Sequence, residues 1–174
     1  MRKLLLIVLL VLGFYYVRQY ISERDLQKST SGKVLPETIA VQPDPRVQKV
    51  QSFLESYDSP MAESSQTFIE VADEYKLDWR LLPAIAGTES TFGKYTPSCA
   101  SFNAFGWTSL SSPCGYWRFN SFDESIRHVA EQLTQKACYR KFIYTGKVED
   151  LAIPYNQGNQ TWIASVNYFI DELE

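Results

Sequence analysis

Residues 77–93 read LDWRLLPAIAGTESTFG, and this stretch combines an apolar run with a single acidic side chain near its end. Leu82, Ile85 and Ala86 recur at offsets of three and four, which is the spacing of one face of a helix. Glu89 falls on the same face, one turn further along. The pattern therefore predicts a helix that carries a buried or half-buried carboxyl group near its C-terminal end.

Burial of Glu89 has a chemical consequence, because an apolar environment disfavours the charged form and raises the pKa of a carboxyl group. A carboxyl that stays protonated near neutral pH can act as a general acid and protonate a leaving glycosidic oxygen. The alternative is an exposed glutamate in the last turn, where the apolar stripe ends. Pro83 lacks a backbone donor, so we also expect this helix to kink or to start late.

Composition bounds the function of the chain. It has 174 residues, of which 45% are hydrophobic and 14% aromatic, enough for one packed domain and an appendage. The formal net charge is −3, yet residues 1–21 carry three basic side chains and no acidic one, so all 20 acidic residues come later. This balance argues against nucleic acid as the main partner.

Residues 1–21 predict an export signal or a membrane anchor, because a short basic start precedes the apolar run of residues 4–17. The run is short for a membrane span, but no small-residue cleavage site closes it. We therefore favour an uncleaved N-terminal membrane helix over a cleaved signal. The domain would then be extracytoplasmic and anchored to the membrane, or secreted if the segment is cleaved.

Residues 22–45 are polar, contain three prolines and show no hydrophobic period, which predicts a flexible linker. Residues 46–174 form the predicted domain. Apolar stripes and capping residues predict its helices over residues 46–57, 60–76, 80–90, 121–137, 148–153 and from 161 onward. Ser59 is the predicted N-cap of the second helix, and Ser121 with Glu124 forms a capping box for the fourth.

Residues 93–120 lack a helical period and are rich in glycine, serine and aromatic residues. Two short aromatic strands, about residues 104–108 and 115–119, predict a β-hairpin. The predicted fold class is therefore mainly α, of the α+β type, with a small β-hairpin lobe that forms one wall of a cleft.

Aromatic and amide side chains in this lobe suit carbohydrate binding. The faces of Tyr95, Trp107, Tyr116 and Trp117 could stack on sugar rings. The amide of Asn103 could bond an acetamido group. The alternative is that the aromatic side chains form a small core under the hairpin.

Four sequence blocks occur in order: ESTFG at residues 89–93, NAFGW at 103–107, FNSFDES at 119–125, and Tyr155 ahead of WIASV at 162–166. Over roughly residues 66–174 the chain resembles the glucosaminidase family of peptidoglycan hydrolases, within the lysozyme-like superfamily. The resemblance implies a lysozyme-like fold and endo-β-N-acetylglucosaminidase activity on the bacterial cell-wall glycan. We expect no cofactor, and a monomer.

The resemblance also assigns site residues. It makes Glu89 the general acid and Tyr155 a second catalytic residue. Asn156 follows Tyr155 directly, and we expect it to help orient the substrate. It places the cleft floor at residues 103–107, where Phe105 and Trp107 would contact substrate.

Two features depart from the family pattern. Residues 155–158 read YNQG, which is closer to the YNxG block of lytic transglycosylases. No aspartate or glutamate occurs from Ser90 to Phe122, although glycosidases usually need a second carboxylate across the sugar. Asp123, Glu124 and Asp150 are the nearest remaining carboxylates, and the first two suit a helix start. We therefore expect a single-acid mechanism, in which a substrate group replaces the nucleophile.

Three alternatives follow: a lytic transglycosylase that forms 1,6-anhydro ends, an inactive glycan-binding module, and a membrane-tethered assembly protein that uses the fold as a scaffold. The histidine and cysteine content offers no metal site. His128, the only histidine, is predicted to be solvated. In an exported domain a Cys99–Cys114 disulfide could close the lobe, with Cys138 left as a buried thiol.

Overall fold

The computed structural model describes residues 44–174. These residues are mainly helical, which confirms the predicted mainly α class for this part of the chain. The seven α-helices of the described range are α1 (Pro45–Ser56), α2 (Ser65–Tyr75), α3 (Leu81–Ser90), α4 (Phe122–Gln135), α5 (Arg140–Thr145), α6 (Val148–Asn156) and α7 (Gln160–Glu172). Short 3₁₀ helices at Ala62–Ser64 and Ala137–Tyr139 precede α2 and α5.

The predicted membrane helix over residues 1–21 and nearly all of the predicted linker lie outside the described residues. Within residues 44–174, none of the helices has both the length and the apolar character needed to cross a membrane.

Helix α3 lies at the centre of the domain, and every residue from Leu81 to Gly87 is buried. It packs against α7, while α2 packs against α4. The helix begins at Leu81, within one residue of the predicted start, so Pro83 does not delay it. Pro83 lies in the first turn, where a missing N–H costs no intrahelical bond. Asp78 Oδ1 accepts a hydrogen bond of 3.0 Å from the Arg80 N–H just before the helix. The central helix thus carries Glu89 out of the core on its last turn.

The chain leaves α3 through a strained turn. Thr91 and Phe92 both adopt left-handed backbone conformations, with φ of 50° and 57°. Such conformations cost non-glycine residues about 1–3 kcal/mol each. Packing compensates for this cost, because the Phe92 side chain is fully buried against α3. A Cβ atom on Gly87 would lie 2.5 Å from the Phe92 ring, so only glycine allows this approach.

The second predicted helix begins later than expected. Ser59 Oγ does accept a hydrogen bond from the Met61 N–H, at 3.0 Å, but the same hydroxyl donates to the Phe92 carbonyl at 2.8 Å. Residues 60–64 form turns and a 3₁₀ helix, and regular α2 starts at Ser65. Helix α5 was not predicted, because its six residues are too few to show a periodic pattern.

The capping prediction for α4 is confirmed at its N-cap. Ser121 Oγ accepts a hydrogen bond of 3.1 Å from the Glu124 N–H. The Glu124 carboxylate reaches one residue further back than a standard capping box, because it accepts from the Asn120 N–H at 2.7 Å. This arrangement fixes the direction in which the lobe enters α4.

The predicted β-hairpin is reduced to one isolated antiparallel bridge between Thr108 and Tyr116. Backbone bonds from Trp117 N–H to the Trp107 carbonyl and from Ser109 N–H to the Gly115 carbonyl, each 2.8 Å, flank it. The expected strands are wrong in length because the Asn103 side chain, described below, takes the place of the next pair of backbone bonds. Cys99 and Cys114 form a disulfide that closes the same lobe.

Candidate active site

Glu89 is half-buried in the last turn of α3. Its Oε1 atom accepts a hydrogen bond of 2.6 Å from the Trp162 indole N–H. Burial raises the pKa of Glu89 above its ordinary value, and the indole bond opposes part of that rise. An indole N–H donates only, so it occupies Oε1 as an acceptor and leaves Oε2 as the oxygen that can carry a proton.

Trp162, in the first turn of α7, is the main partner that sequence reasoning missed. Its position on an apolar stripe suggested packing alone, and indeed it is 5% exposed. A buried tryptophan usually finds a hydrogen-bond acceptor for its N–H, and this rule was the available signal. The sequence gives no indication that the acceptor is Glu89, which lies on a different helix.

Gly106 brings the lobe backbone against the carboxyl group. A Cβ atom at this position would lie 2.9 Å from Glu89 Oε2, and the backbone φ is +61°. Glycine is therefore required here both for its conformation and for the close approach. Glu89 is consequently held from two sides, by Trp162 at Oε1 and by Gly106 near Oε2.

Tyr155 fixes the backbone next to Gly106. Its hydroxyl donates a hydrogen bond of 2.7 Å to the Phe105 carbonyl. The Tyr155 ring packs 5.2 Å from the Trp162 ring and 5.9 Å from the Trp107 ring, measured between centroids. Burial, together with the nearby Glu89, raises the pKa of Tyr155 well above its ordinary value, so the hydroxyl remains a neutral donor. The structure thus places the predicted Tyr155 beside the predicted Glu89.

Asn103 does not have the role predicted for it. Its amide is 1% exposed and is fully engaged by the lobe backbone. The Nδ2 group donates to the Trp107 and Trp117 carbonyls at 2.8 and 2.9 Å, and Oδ1 accepts from the Trp107 N–H at 2.8 Å. Both N–H groups are used, so the amide is not free to bond an acetamido group. Asn103 instead holds the two sides of the lobe together.

Phe105 also differs from its prediction, because its side chain is 1% exposed and belongs to the core. Its contribution to the site is the carbonyl that Tyr155 bonds. Gly106, Trp107 and Tyr155 line a cavity of about 320 Å³. Of the predicted cleft floor, Phe105, Gly106 and Trp107 line the cavity, although the Phe105 side chain is almost fully buried, and Asn103 does not line it.

Several predicted sugar-binding side chains are accessible. Tyr116 and Trp117 are 36% and 40% exposed, and Tyr95 is 76% exposed. Asn156 is half-buried at the last residue of α6, next to Tyr155. Its side chain makes no hydrogen bond to other described residues. These side chains therefore leave aromatic faces and one amide group accessible.

His128 is half-buried and packed on aromatic rings, whereas a solvated side chain was predicted. Its ring stacks on Trp117 with centroids 4.6 Å apart, and the Phe119 ring lies 5.4 Å away. The His128 Nε2 atom is buried without a hydrogen-bond partner in the described part of the chain. Burial lowers the pKa of His128. The histidine therefore anchors the aromatic side of the lobe to α4, as the small-core alternative for Trp117 suggested.

Two of the three carboxylates considered as second catalytic groups, Asp150 and Glu124, make structural contacts. Asp150 is 8% exposed, forms an ion pair of 2.6 Å with Lys141 and accepts a bond of 2.7 Å from the Thr145 hydroxyl. The Lys141 bond lowers the pKa of Asp150. Glu124 bonds Asn120, and Asp123 is exposed in the first turn of α4.

Cys138 differs from its prediction because it is exposed. Helix α4 ends at Gln135, so Cys138 falls in a 3₁₀ turn and not on the buried face of a helix. Residues 44–174 contain no group of three or more His, Cys, Asp or Glu side chains that could hold a metal ion.

Ser90 ties α3 to the lobe directly behind Glu89. The buried hydroxyl donates to the Ala104 carbonyl at 2.7 Å and accepts from the Gly93 N–H at 2.8 Å. Ser90→Ala leaves both partners unpaired in the interior, so we expect a loss of roughly 1–3 kcal/mol in the free energy of unfolding. Urea titration followed by circular dichroism measures it. Ser101→Ala, at an exposed position, is the matched control, and equal stability of the two variants would contradict this role.

No protein-family model matches the sequence, and no curated protein matches it significantly.

Proposed function

We propose that this protein is a peptidoglycan hydrolase of the endo-β-N-acetylglucosaminidase type, with Glu89 as its general acid. One observation carries the proposal: Glu89 is a half-buried carboxyl with a raised pKa, held by Trp162 and next to Gly106, which lines an aromatic cavity. No cation of the described chain forms an ion pair with it. A carboxyl in this environment remains protonated at higher pH than an exposed one, as a general acid requires. The order of the four sequence blocks supports the choice of a glycan as substrate.

The proposed reaction begins with a proton on Glu89 Oε2. Trp162 keeps Oε1 in the acceptor role, and Gly106 limits the positions that Oε2 can adopt. Proton transfer to the bridging oxygen allows the bond between that oxygen and the anomeric carbon to break. Positive charge then develops on the sugar that contains this anomeric carbon. The carboxylate left on Glu89 is then stabilised by the indole N–H.

The developing charge needs a partner, and the lobe from Ser90 to Phe122 supplies no carboxylate. Asp150 is occupied by Lys141 and Thr145, which argues against its use. In the proposed mechanism the acetamido carbonyl of the substrate attacks the anomeric carbon and forms a cyclic intermediate. Water then opens this intermediate and leaves a reducing end. Tyr155 orients the lobe backbone through Phe105 during these steps.

The test of the proposal is turnover of purified cell-wall glycan by the full chain, with products identified by mass spectrometry. Reducing ends are expected. Products with 1,6-anhydro ends would instead identify a lytic transglycosylase, in which the 6-hydroxyl attacks, as the YNQG segment of residues 155–158 suggests. Binding without turnover would identify an inactive glycan-binding module. The absence of both would favour the scaffold alternative.

The hydrogen bond from the Trp162 indole to Glu89 should affect the pH dependence of kcat/KM. A general acid must be protonated, so activity falls as pH rises through the pKa of Glu89. The Trp162 N–H favours the carboxylate and holds this pKa down. Trp162→Phe should therefore move the alkaline limb of the kcat/KM profile to higher pH, besides lowering the rate. Trp79→Phe is the control, and identical profiles for both variants would show that Trp162 does not tune the acid.

A further inference from the structure

The wall of the cavity next to Gly106 carries one positive charge and no negative charge. It is lined by Gly106, Trp107, Lys136, Cys138, Tyr139 and Tyr155, with three further uncharged residues. Lys136 supplies the only formal charge on its wall. With a volume of about 320 Å³, the cavity is at the small end of the range of ligand sites. The site is therefore suited to a small substituent with an anionic group.

Lys136 is positioned by an aromatic ring and not by an acid. Its ammonium nitrogen lies 4.9 Å from the centroid of the Trp107 ring. None of the ion pairs among residues 44–174 includes Lys136. A cation held over a ring face keeps its N–H donors free for a ligand. Lys136 directly follows α4 and has an extended backbone, with φ of −73° and ψ of 133°.

We propose that this cavity binds a carboxylate carried by the glycan, with Lys136 as its charged partner and Trp107 as the apolar wall. The inference rests on the proposed function and extends it to substrate preference. N-acetylglucosamine units are neutral and give Lys136 nothing to pair with. A muramic acid unit without its peptide presents a lactyl carboxylate, and a peptide stem presents carboxylates further from the ring. Both sources share one chemistry, recognition of a carboxylate next to the cleaved sugar.

Binding measurements separate the two sources. The full chain carrying Glu89→Gln is titrated calorimetrically with three glycan strands, so that no strand is cut. The first strand has free lactyl carboxylates, the second has the same groups converted to methyl amides, and the third carries peptide stems. Lys136→Met should weaken binding of the free-lactyl strand roughly tenfold and leave the amide strand unchanged. Lys136→Arg should restore most of the affinity, and Lys147→Met, at another exposed lysine, should have no effect.

A Lys136 effect on the peptide-bearing strand alone would keep the carboxylate site and assign it to the stem. An equal effect of Lys136→Met on all three strands, or on none, would overturn the inference. The proposed function would survive that result as long as the wild-type chain still cuts the glycan. If the chain neither binds nor cuts any strand, the proposed function and this inference both fail.

Discussion

Glu89→Gln is expected to fold normally and to lose at least ~100-fold in turnover of cell-wall glycan, the usual scale for removal of a general acid. Glutamine keeps an oxygen that can accept the Trp162 N–H bond, so the packing around the side chain is preserved. The amide has no proton of suitable acidity to give to the bridging oxygen. Initial rates on purified glycan, with thermal unfolding of both proteins, measure the effect.

Asp123→Asn is the matched control for this result. Asp123 is exposed in the first turn of α4, and it was one of the alternative carboxylates. The variant should keep nearly full activity. A well-folded Glu89→Gln protein that retains activity would refute the assignment of the acid. An inactive Asp123→Asn protein would place a second carboxylate in the mechanism.

Local sequence patterns predicted the parts of this fold that depend on local interactions. The apolar stripe forms a buried helix with Glu89 in its last turn, and Ser121 is the N-cap of α4. Each of these features depends on residues within one or two helical turns. The same reasoning missed the 3₁₀ helix at Ala62–Ser64 that delays the start of α2, and the bond from the Ser59 hydroxyl to Phe92, a residue far along the chain.

The lobe shows a second limit of sequence reasoning. Its aromatic alternation predicted two strands, but the Asn103 side chain supplies bonds to the Trp107 and Trp117 backbones that a longer ladder would have used. A side-chain amide has the same donors and acceptor as a peptide group and can replace it. The residue type of Asn103 suits a bond to an acetamido group of the substrate, as predicted from the sequence. Its actual partners are backbone groups of the lobe, which the sequence does not reveal.

The candidate site follows the same rule. Glu89 is predicted from the pattern of its own helix and Tyr155 from the family resemblance, and both side chains contact Trp162 in the structure. Trp162 and the backbone of Gly106 contact Glu89 only through tertiary packing, so no spacing in the sequence reports them. The prediction of a solvated His128 is wrong for a related reason. The lobe covers the face of α4 that carries His128, and the apolar pattern of α4 alone does not indicate this contact.

Gly106→Ala should lower turnover by ~10- to 100-fold without unfolding the protein. The new methyl group would lie 2.9 Å from Glu89 Oε2, the far end of a flexible side chain, so the clash is relieved by moving the carboxyl. Oε1 is held by Trp162, and displacement of Oε2 therefore misaligns the acid, where even a 1 Å error can cost about 100-fold in rate. The left-handed backbone adds a stability cost of roughly 1–2 kcal/mol for alanine.

Gly146→Ala separates these two effects. Gly146 also has a positive φ, +68°, but nothing lies within 4 Å of the position its Cβ would occupy. This control bears the backbone cost alone and should retain full turnover. Rates and urea unfolding of both variants are compared at the same pH. If the two alanine variants lose stability alike but only Gly106→Ala loses turnover, the contact between the lobe backbone and Glu89 is part of the catalytic geometry. Equal turnover of the two variants would refute the role of that contact.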